Sequence, residues 1–305
     1  MLNICGLSKT YSNGIQALQN VSLEIEHGIF GLLGPNGAGK SSLMRTLATL
    51  QDADSGSVEL DGVDLLNQPQ LARQQLGYLP QDFGVYPNIS AEELLNQLAV
   101  FKGFINPKER KEIVKQQLHL VNLYSQRQQK LGTFSGGMRQ RFGIAQALLG
   151  SAKLIIVDEP TAGLDPAERI RFQNLLAEIS QNRVLLLSTH IVEDVAELCQ
   201  NMAILNQGKI LRSGSPTVLT NALQGKIWTK VVEDFETSDL LDSCQVITSR
   251  MSRGSRCIRV LSDVQPDVGF QVAEPDLNDV YFTALLDEPE IQLDATLTQS
   301  TSVKG

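Results

Sequence analysis

An α/β fold built on a parallel-rich sheet is what the sequence predicts, and two observations predict it. Four short aliphatic runs, at residues 29–33, 154–157, 184–187 and 202–205, have the length and composition of strands buried on both faces, as parallel strands are. Helix-compatible segments alternate with them, the pattern of a sheet whose crossovers are helices. Between the first run and the helix that follows lies a glycine-rich stretch, Gly34-Pro35-Asn36-Gly37-Ala38-Gly39-Lys40-Ser41-Ser42. The order strand, loop, helix is the setting that a phosphate-binding loop requires.

The chemistry of that loop is backbone access. Three residues without Cβ, Gly34, Gly37 and Gly39, let successive N–H groups curl toward an anion, and the helix opening at Lys40 adds the positive end of its dipole. Lys40 supplies a mobile point charge for β- and γ-phosphates, and the Ser41 hydroxyl is placed to ligate magnesium. The chain is therefore a nucleotide binder first, with a P-loop NTPase core.

Further along, helix starts are legible in their caps. Ser90-Ala91-Glu92-Glu93 reads as a capping box, Asn106-Pro107-Lys108-Glu109 puts a polar cap before a proline, and Asp165-Pro166-Ala167-Glu168 sets Asp at the N-cap, Pro at N1 and Glu at N3. Between about residues 90 and 131 the strand signal vanishes and Gln, Lys and Leu dominate, which predicts a helical subdomain inserted between sheet elements, at about 88–150. Composition changes near Gly225. The expected division is a main domain over 1–224, with an N-terminal antiparallel β portion, and a small α+β extension over 225–291 that holds alternating segments at 226–232 and 257–261 and a short helix at 277–286. The stretch 292–305, rich in Thr, Ser and Gln, has too little apolar surface to order itself and is expected to be flexible.

Composition excludes several classes of function. The 305 residues are 42% hydrophobic, which suits a globular protein, and no apolar run approaches the roughly 20 residues that cross a bilayer. The N-terminus lacks the charged start and long apolar core of a secretion signal, so a cytoplasmic location is expected. Four scattered cysteines, Cys5, Cys199, Cys244 and Cys257, read as reduced packing residues rather than a disulfide framework or zinc site. A net charge of −8 argues against a broad nucleic-acid surface and against direct docking on anionic lipid, leaving membrane association to a protein partner.

Two further segments carry chemistry. The strand at 154–157 ends in Asp158 and Glu159, adjacent carboxylates whose expected roles differ. Asp158 at the strand end reaches a magnesium ion directly or through water, whereas Glu159 points the other way on the pleat and polarises a water aimed at the γ-phosphate. The alternative is a pair of acids capping the next helix. In Phe134-Ser135-Gly136-Gly137-Met138, Ser135 N-caps a helix whose first turn holds two glycines. Each glycine costs up to about 1 kcal/mol there against alanine, so close backbone approach is expected, with a simple tight turn as the alternative. His190 follows a buried strand and Ser188-Thr189, at the sheet's carboxyl edge, while His27 and His119 lack such a setting and read as solvent-facing.

Together these motifs resemble the ATP-binding cassette ATPases over residues 2–223, in family order. The phosphate loop is similar to Walker A, residues 154–159 to Walker B, and Ser135-Gly136-Gly137 to the family signature, with Phe134 and Met138 as small departures. The resemblance implies ATP and Mg2+ as ligands. It assigns Gln81, in Leu79-Pro80-Gln81-Asp82, contact with magnesium and water, Asp165 of Ala162-Gly163-Leu164-Asp165 a place in a loop crossing a dimer interface, and His190 the γ-phosphate switch. Tyr11 resembles the aromatic residue that stacks on adenine, its alternative being a lid on the sheet.

The resemblance also implies an ATPase that works as a homodimer or pseudo-dimer packed head to tail, each ATP held by Lys40 of one subunit and Ser135, Gly136 and Gly137 of the other. Its client is then a polytopic membrane permease on the cytoplasmic face, gripped near Phe83-Gly84-Val85-Tyr86-Pro87, or those residues are ordinary loop packing. The segment Pro275-Asp276-Leu277-Asn278-Asp279-Val280-Tyr281-Phe282 resembles the closing segment of multidrug and other efflux subunits, which points to export. The alternative is a soluble cassette ATPase that remodels nucleic acid or ribosomes without a membrane partner.

Overall fold

Strands β1 (Leu2–Thr10) and β2 (Gln16–Ile25) alternate buried and exposed positions along much of their length, the period-2 pattern of a sheet with one covered face. They pair antiparallel, and the first aliphatic run then becomes β3 (Gly28–Leu33), with five of its six residues buried. The phosphate loop and α1 (Lys40–Leu47) follow, before β4 (Ser55–Leu60) and β5 (Val63–Asp64) return to complete a four-stranded antiparallel sheet in the order β2-β1-β4-β5. These coordinates form a computed structural model that describes residues 1–232, 244–252 and 254–286. The tail 292–305, expected to be flexible, lies outside the described residues.

After α2 (Pro69–Gln74) comes β6 (Leu76–Leu79), an edge strand of four residues that the aliphatic pattern does not single out. The strand-free stretch is helical: α3 (Ala91–Phe101), α4 (Pro107–Leu120), two short 3-10 turns and α5 (Gly136–Ala147). Its caps form as the side chains demand. Ser90 and Glu93 close a reciprocal capping box, Asn106 accepts from Lys108 N, and Ser135 accepts from Met138 N. The remaining aliphatic runs fold as β7 (Leu154–Asp158), β8 (Val184–Thr189) and β9 (Asn201–Asn206), with α6 (Pro166–Ile179) and α7 (Val192–Leu198) between them and β10 (Lys209–Gly214) after.

These strands form one six-stranded sheet in the order β10-β9-β3-β8-β7-β6, parallel except for the edge strand β10. Register sets the site. Leu33 lies opposite Thr189 and Asp158 opposite Ser188, so the loops after β3, β7 and β8 all leave the sheet at one level, at its carboxyl edge. Beneath them, Leu2 and Val58 of the antiparallel sheet, Leu43 and Leu47 of α1, and Leu32 and Ile156 of the parallel sheet join in a single apolar cluster. Wedging α1 into the core in this way fixes the loop that precedes it.

By compactness the chain divides into Met1–Val218 and Leu219–Gly305. Within the second unit, β11 (Ile227–Val232), β12 (Gln245–Ser252), β13 (Ser255–Leu261) and β14 (Gln271–Val272) form an antiparallel sheet, order β12-β13-β11-β14, with its own core of Val246, Ile258, Val260 and Phe270. Helix α8 (Pro216–Asn221) precedes it, and α9 (Leu277–Leu286) closes the described chain.

One reading needs correction: Cys5 is exposed rather than a packing residue, because it falls on the outward side of the pleat, while Cys199 is buried and none of the four cysteines forms a disulfide. Burial pushes the Cys199 thiol up to about 12, so it stays a neutral packing group. No helix among the described residues is long and apolar enough to cross a membrane.

Candidate functional site

Backbone constraints shape the phosphate loop before any ligand is considered. A Cβ on Gly34 would lie 2.2 Å from the Leu205 carbonyl oxygen, and one on Gly39, whose φ is +108°, would lie 2.3 Å from that of Ala17. Two of the three glycines thus answer to packing against β9 and β2. Only Gly37, with φ +82° and open space around it, is free to serve ligand approach alone. Gly39 is the N-cap of α1 and offers no side-chain acceptor, so the first-turn N–H groups lack that partner and suit an anion.

Lys40 is buried, and its Nζ donates to the carbonyl oxygens of Gly34 at 2.6 Å and Pro35 at 3.1 Å. The nearest carboxylate oxygen, Glu159 Oε1, is 3.8 Å away. Burial pushes the ammonium below its usual value, with Glu159 and Asp158 opposing the shift. A cation held by two carbonyls and a distant carboxylate is what a phosphate would satisfy better.

The two carboxylates converge rather than diverge. Asp158 is the last residue of β7; its Oδ2 accepts from Ser41 Oγ at 3.3 Å, and its Oδ1 receives a short hydrogen bond from Ser188. Glu159 was expected on the opposite side of the pleat, but it has left the strand with φ +46°, a left-handed conformation costly for a residue with a Cβ. That turn aims Oε1 at Lys40 and brings Oε2 to 3.0 Å from His190 Nδ1. The backbone N–H of Glu159 is anchored on the Ser188 carbonyl at 3.1 Å.

An open cleft of about 860 Å³ runs over the loop, within the size range of small-molecule sites. Tyr11, Asn36, Lys40, Ser41, Gln81 and Glu159 are among its walls. The Tyr11 hydroxyl bonds Ser42 Oγ at 2.9 Å and Gln51 Oε1 at 3.1 Å, which fixes the ring beside the loop. For a divalent cation the chain offers the Ser41 hydroxyl, Asp158 and the Gln81 amide. No group of three or more His, Cys, Asp or Glu among the described residues is placed to hold a metal ion. So sparse a donor set fits Mg2+, which retains waters and draws ligands from substrate phosphates.

Other expected residues lie elsewhere. Ser135, Gly136, Gly137, Asp165 and His190 are absent from the walls of this cleft. Gly136 faces open space, whereas a Cβ on Gly137 would come within 2.3 Å of the Glu168 carboxylate, so the close approach there is to a neighbouring side chain of the same chain. Glu168 also pairs with Arg141 of α5 at 3.3 Å, and Asp165 N-caps α6 by accepting from Glu168 N at 2.9 Å. His27 and His119 are exposed, His119 stacking on Tyr124. Sequence reasoning missed Ser188, Gln51 and the buried pair Thr161 and Asp194. Ser188 was legible as a polar residue ending an apolar strand; Asp194 reads as an ordinary acid in a helix's first turn and gives no signal.

Comparison with known proteins follows the same lines. The family described as ABC transporter matches residues 18–162. The chain is 34% identical to an uncharacterized ABC transporter ATP-binding protein, YxlF, of Bacillus subtilis (strain 168), over 77% of each chain. It is 31% identical to Nod factor export ATP-binding protein I of Rhizobium sp. (strain N33), over 77% of this chain and 76% of that one. Among solved structures, a dimeric ATP-binding cassette in a post-hydrolysis state bound to ADP and Pi superposes with a TM-score of 0.64 at 26% identity, covering 70% of this chain and 98% of that one.

Proposed function

Since the chain belongs to the ABC transporter ATP-binding proteins and is an ATPase of that family, we propose that two copies, or this chain and a homologous subunit, clasp ATP head to tail and drive export through a separate membrane permease. The observation that carries this reading is a one-sided cleft: Lys40 and the phosphate loop line it, while Ser135, Gly136 and Gly137 do not. A second subunit supplying that helix start, with Gly136 open to approach, completes the enclosure.

Within the proposed site each residue has a task its surroundings support. Lys40 exchanges its two carbonyl partners for β- and γ-phosphate oxygens. Tyr11 stacks on adenine with its ring held by Ser42 and Gln51. Ser41, Asp158 and Gln81 hold Mg2+, which when bound neutralises charge building on the phosphate oxygens. Glu159 accepts a hydrogen bond from the attacking water and orients it in line with the γ-phosphorus, and His190 steadies the carboxylate from the opposite side. Loss of the γ-phosphate removes the group that bridges the two subunits, and they part.

For the permease, the walls of a groove where α3 meets the sheet core are suggestive. Leu50, Leu76, Tyr78, Leu98, Phe101 and Phe104 line it, and Phe101 is 85% exposed. Residues 83–87, expected to form that surface, are absent from its lining, although Tyr86 is 73% exposed. Export draws support from the name of the Nod factor relative and from the closing segment at 275–282. Affinity purification from detergent-solubilised membranes is expected to recover a multi-span protein, lost on Phe101→Glu. Recovery of ribosomes or DNA instead would replace the transporter reading with nucleic-acid remodelling.

A further inference from the structure

We infer that Asp194 is a positioning residue for ATP hydrolysis, holding the backbone turn at Glu159 and the His190 segment in one closed ring through the Thr161 hydroxyl. Asp194 is 0% exposed and lies in the first turn of α7. Its Oδ2 accepts from Thr161 Oγ1 at 2.6 Å, while its Oδ1 accepts from Arg169 Nε at 2.9 Å and Gln173 Nε2 at 3.1 Å. Thr161 is itself buried and stands two residues after Glu159.

Tracing the bonds gives the ring. From Glu159 the chain runs through Pro160 to Thr161, across the hydrogen bond to Asp194, back along α7 to Ile191 and His190, and across the 3.0 Å contact from His190 Nδ1 to Glu159 Oε2. Ile191 N donates to Thr189 Oγ1 at 2.9 Å, which pins the one exposed stretch of the circuit to the end of β8. A left-handed φ of +46° at Glu159 persists only where its surroundings over-determine it, and the ring is one such restraint. The two oxygens of Asp194 divide the work: Oδ1 faces α6, which carries Asp165 at its cap, and Oδ2 faces the segment that carries Glu159.

This inference rests on the assignment of Glu159 above, and steady-state ATP hydrolysis with Mg2+ on the full chain tests the two separately. Thr161→Val keeps the side chain's volume and removes only the hydroxyl; Thr161→Ser keeps the hydroxyl. The expected result is a kcat about tenfold lower for Thr161→Val with KM and ATP affinity within about twofold, and Thr161→Ser close to the wild type, because a sub-ångström displacement of a reacting group suffices for such a loss. A Thr161→Val protein with wild-type kcat overturns the inference, as does one that no longer binds ATP or loses kcat and affinity together, since a merely structural hydroxyl behaves that way. Glu159→Gln runs alongside. If it is inactive while Thr161→Val is fully active, only the positioning role falls; if it turns over normally, the Glu159 assignment falls first.

Discussion

Two buried charges, one in each unit of this chain, are handled in opposite ways. In the C-terminal unit, Asp279 is 1% exposed and over-provided with donors: Arg259 Nε at 2.8 Å, Arg259 Nη2 at 2.5 Å and the backbone N–H of Asp276 at 2.9 Å. Arg259 in turn is held above its usual value by that carboxylate and also donates to the Glu274 carbonyl. In the first unit, Lys40 is equally buried yet has only carbonyl partners within hydrogen-bonding distance, and the carboxylate nearest to it sits on strained backbone. The contrast separates a rivet from a receptor. A charge fully matched inside the protein ties α9 to its sheet, whereas one left under-matched is open to completion by a ligand.

Mutations can break this contrast, and the largest effect is expected at Glu159. Glu159→Gln should cut ATP turnover by about 10²–10⁴ while leaving binding intact, and should stabilise an ATP-bound dimer on size-exclusion chromatography; wild-type turnover contradicts the role. Next is the rivet. Arg259→Met leaves the Asp279 charge buried without its cation, and should lower the stability of the C-terminal unit by about 3 kcal/mol in denaturant titration, with the ATPase rate unchanged. Adding Asp279→Leu should restore most of that loss, and failure to do so would mean the pair is not what holds α9.

Lys40→Met sharpens the comparison from the other side. ATP affinity should fall by about tenfold to a hundredfold, as for loss of a charged hydrogen bond, yet thermal stability without nucleotide should stay the same or rise, because a poorly compensated buried ammonium has been removed. A destabilised Lys40→Met protein would show that the Lys40 and Asp279 charges are treated alike after all. The smallest effect belongs to Tyr11→Ala, expected to weaken ATP binding a few-fold to tenfold, or about 1 kcal/mol, by isothermal titration. Unchanged affinity there leaves Tyr11 as a lid on the sheet.

Much of the fold was legible in local pattern. Runs at 29–33, 154–157, 184–187 and 202–205 became β3, β7, β8 and β9 because strands buried on both faces need unbroken aliphatic character. Caps at Ser90, Asn106, Ser135 and Asp165 were equally visible, since a side chain satisfying an N–H two or three residues away needs no knowledge of the rest of the chain. The four-residue β6 escaped because its glycine and tyrosine break the aliphatic pattern.

Sequence alone determined the residue types and their order at the nucleotide site: Lys40 and Ser41 after glycines, and Asp158 and Glu159 at a strand end. Tertiary structure decided their aim. The pleat rule sent Glu159 away from Asp158, and a left-handed turn brought it back to Lys40 and His190. A side chain at Gly137 would collide with Glu168, and side chains at Gly34 and Gly39 would collide with the backbones of β9 and β2, constraints that no local motif reveals. The physical reason is one of range. Propensities, caps and motifs are short-range and are written in neighbouring residues, whereas φ at Glu159, the register of β3, β7 and β8, and the partners of Asp194 depend on atoms distant in sequence, which only the packed sheet brings within a few ångströms.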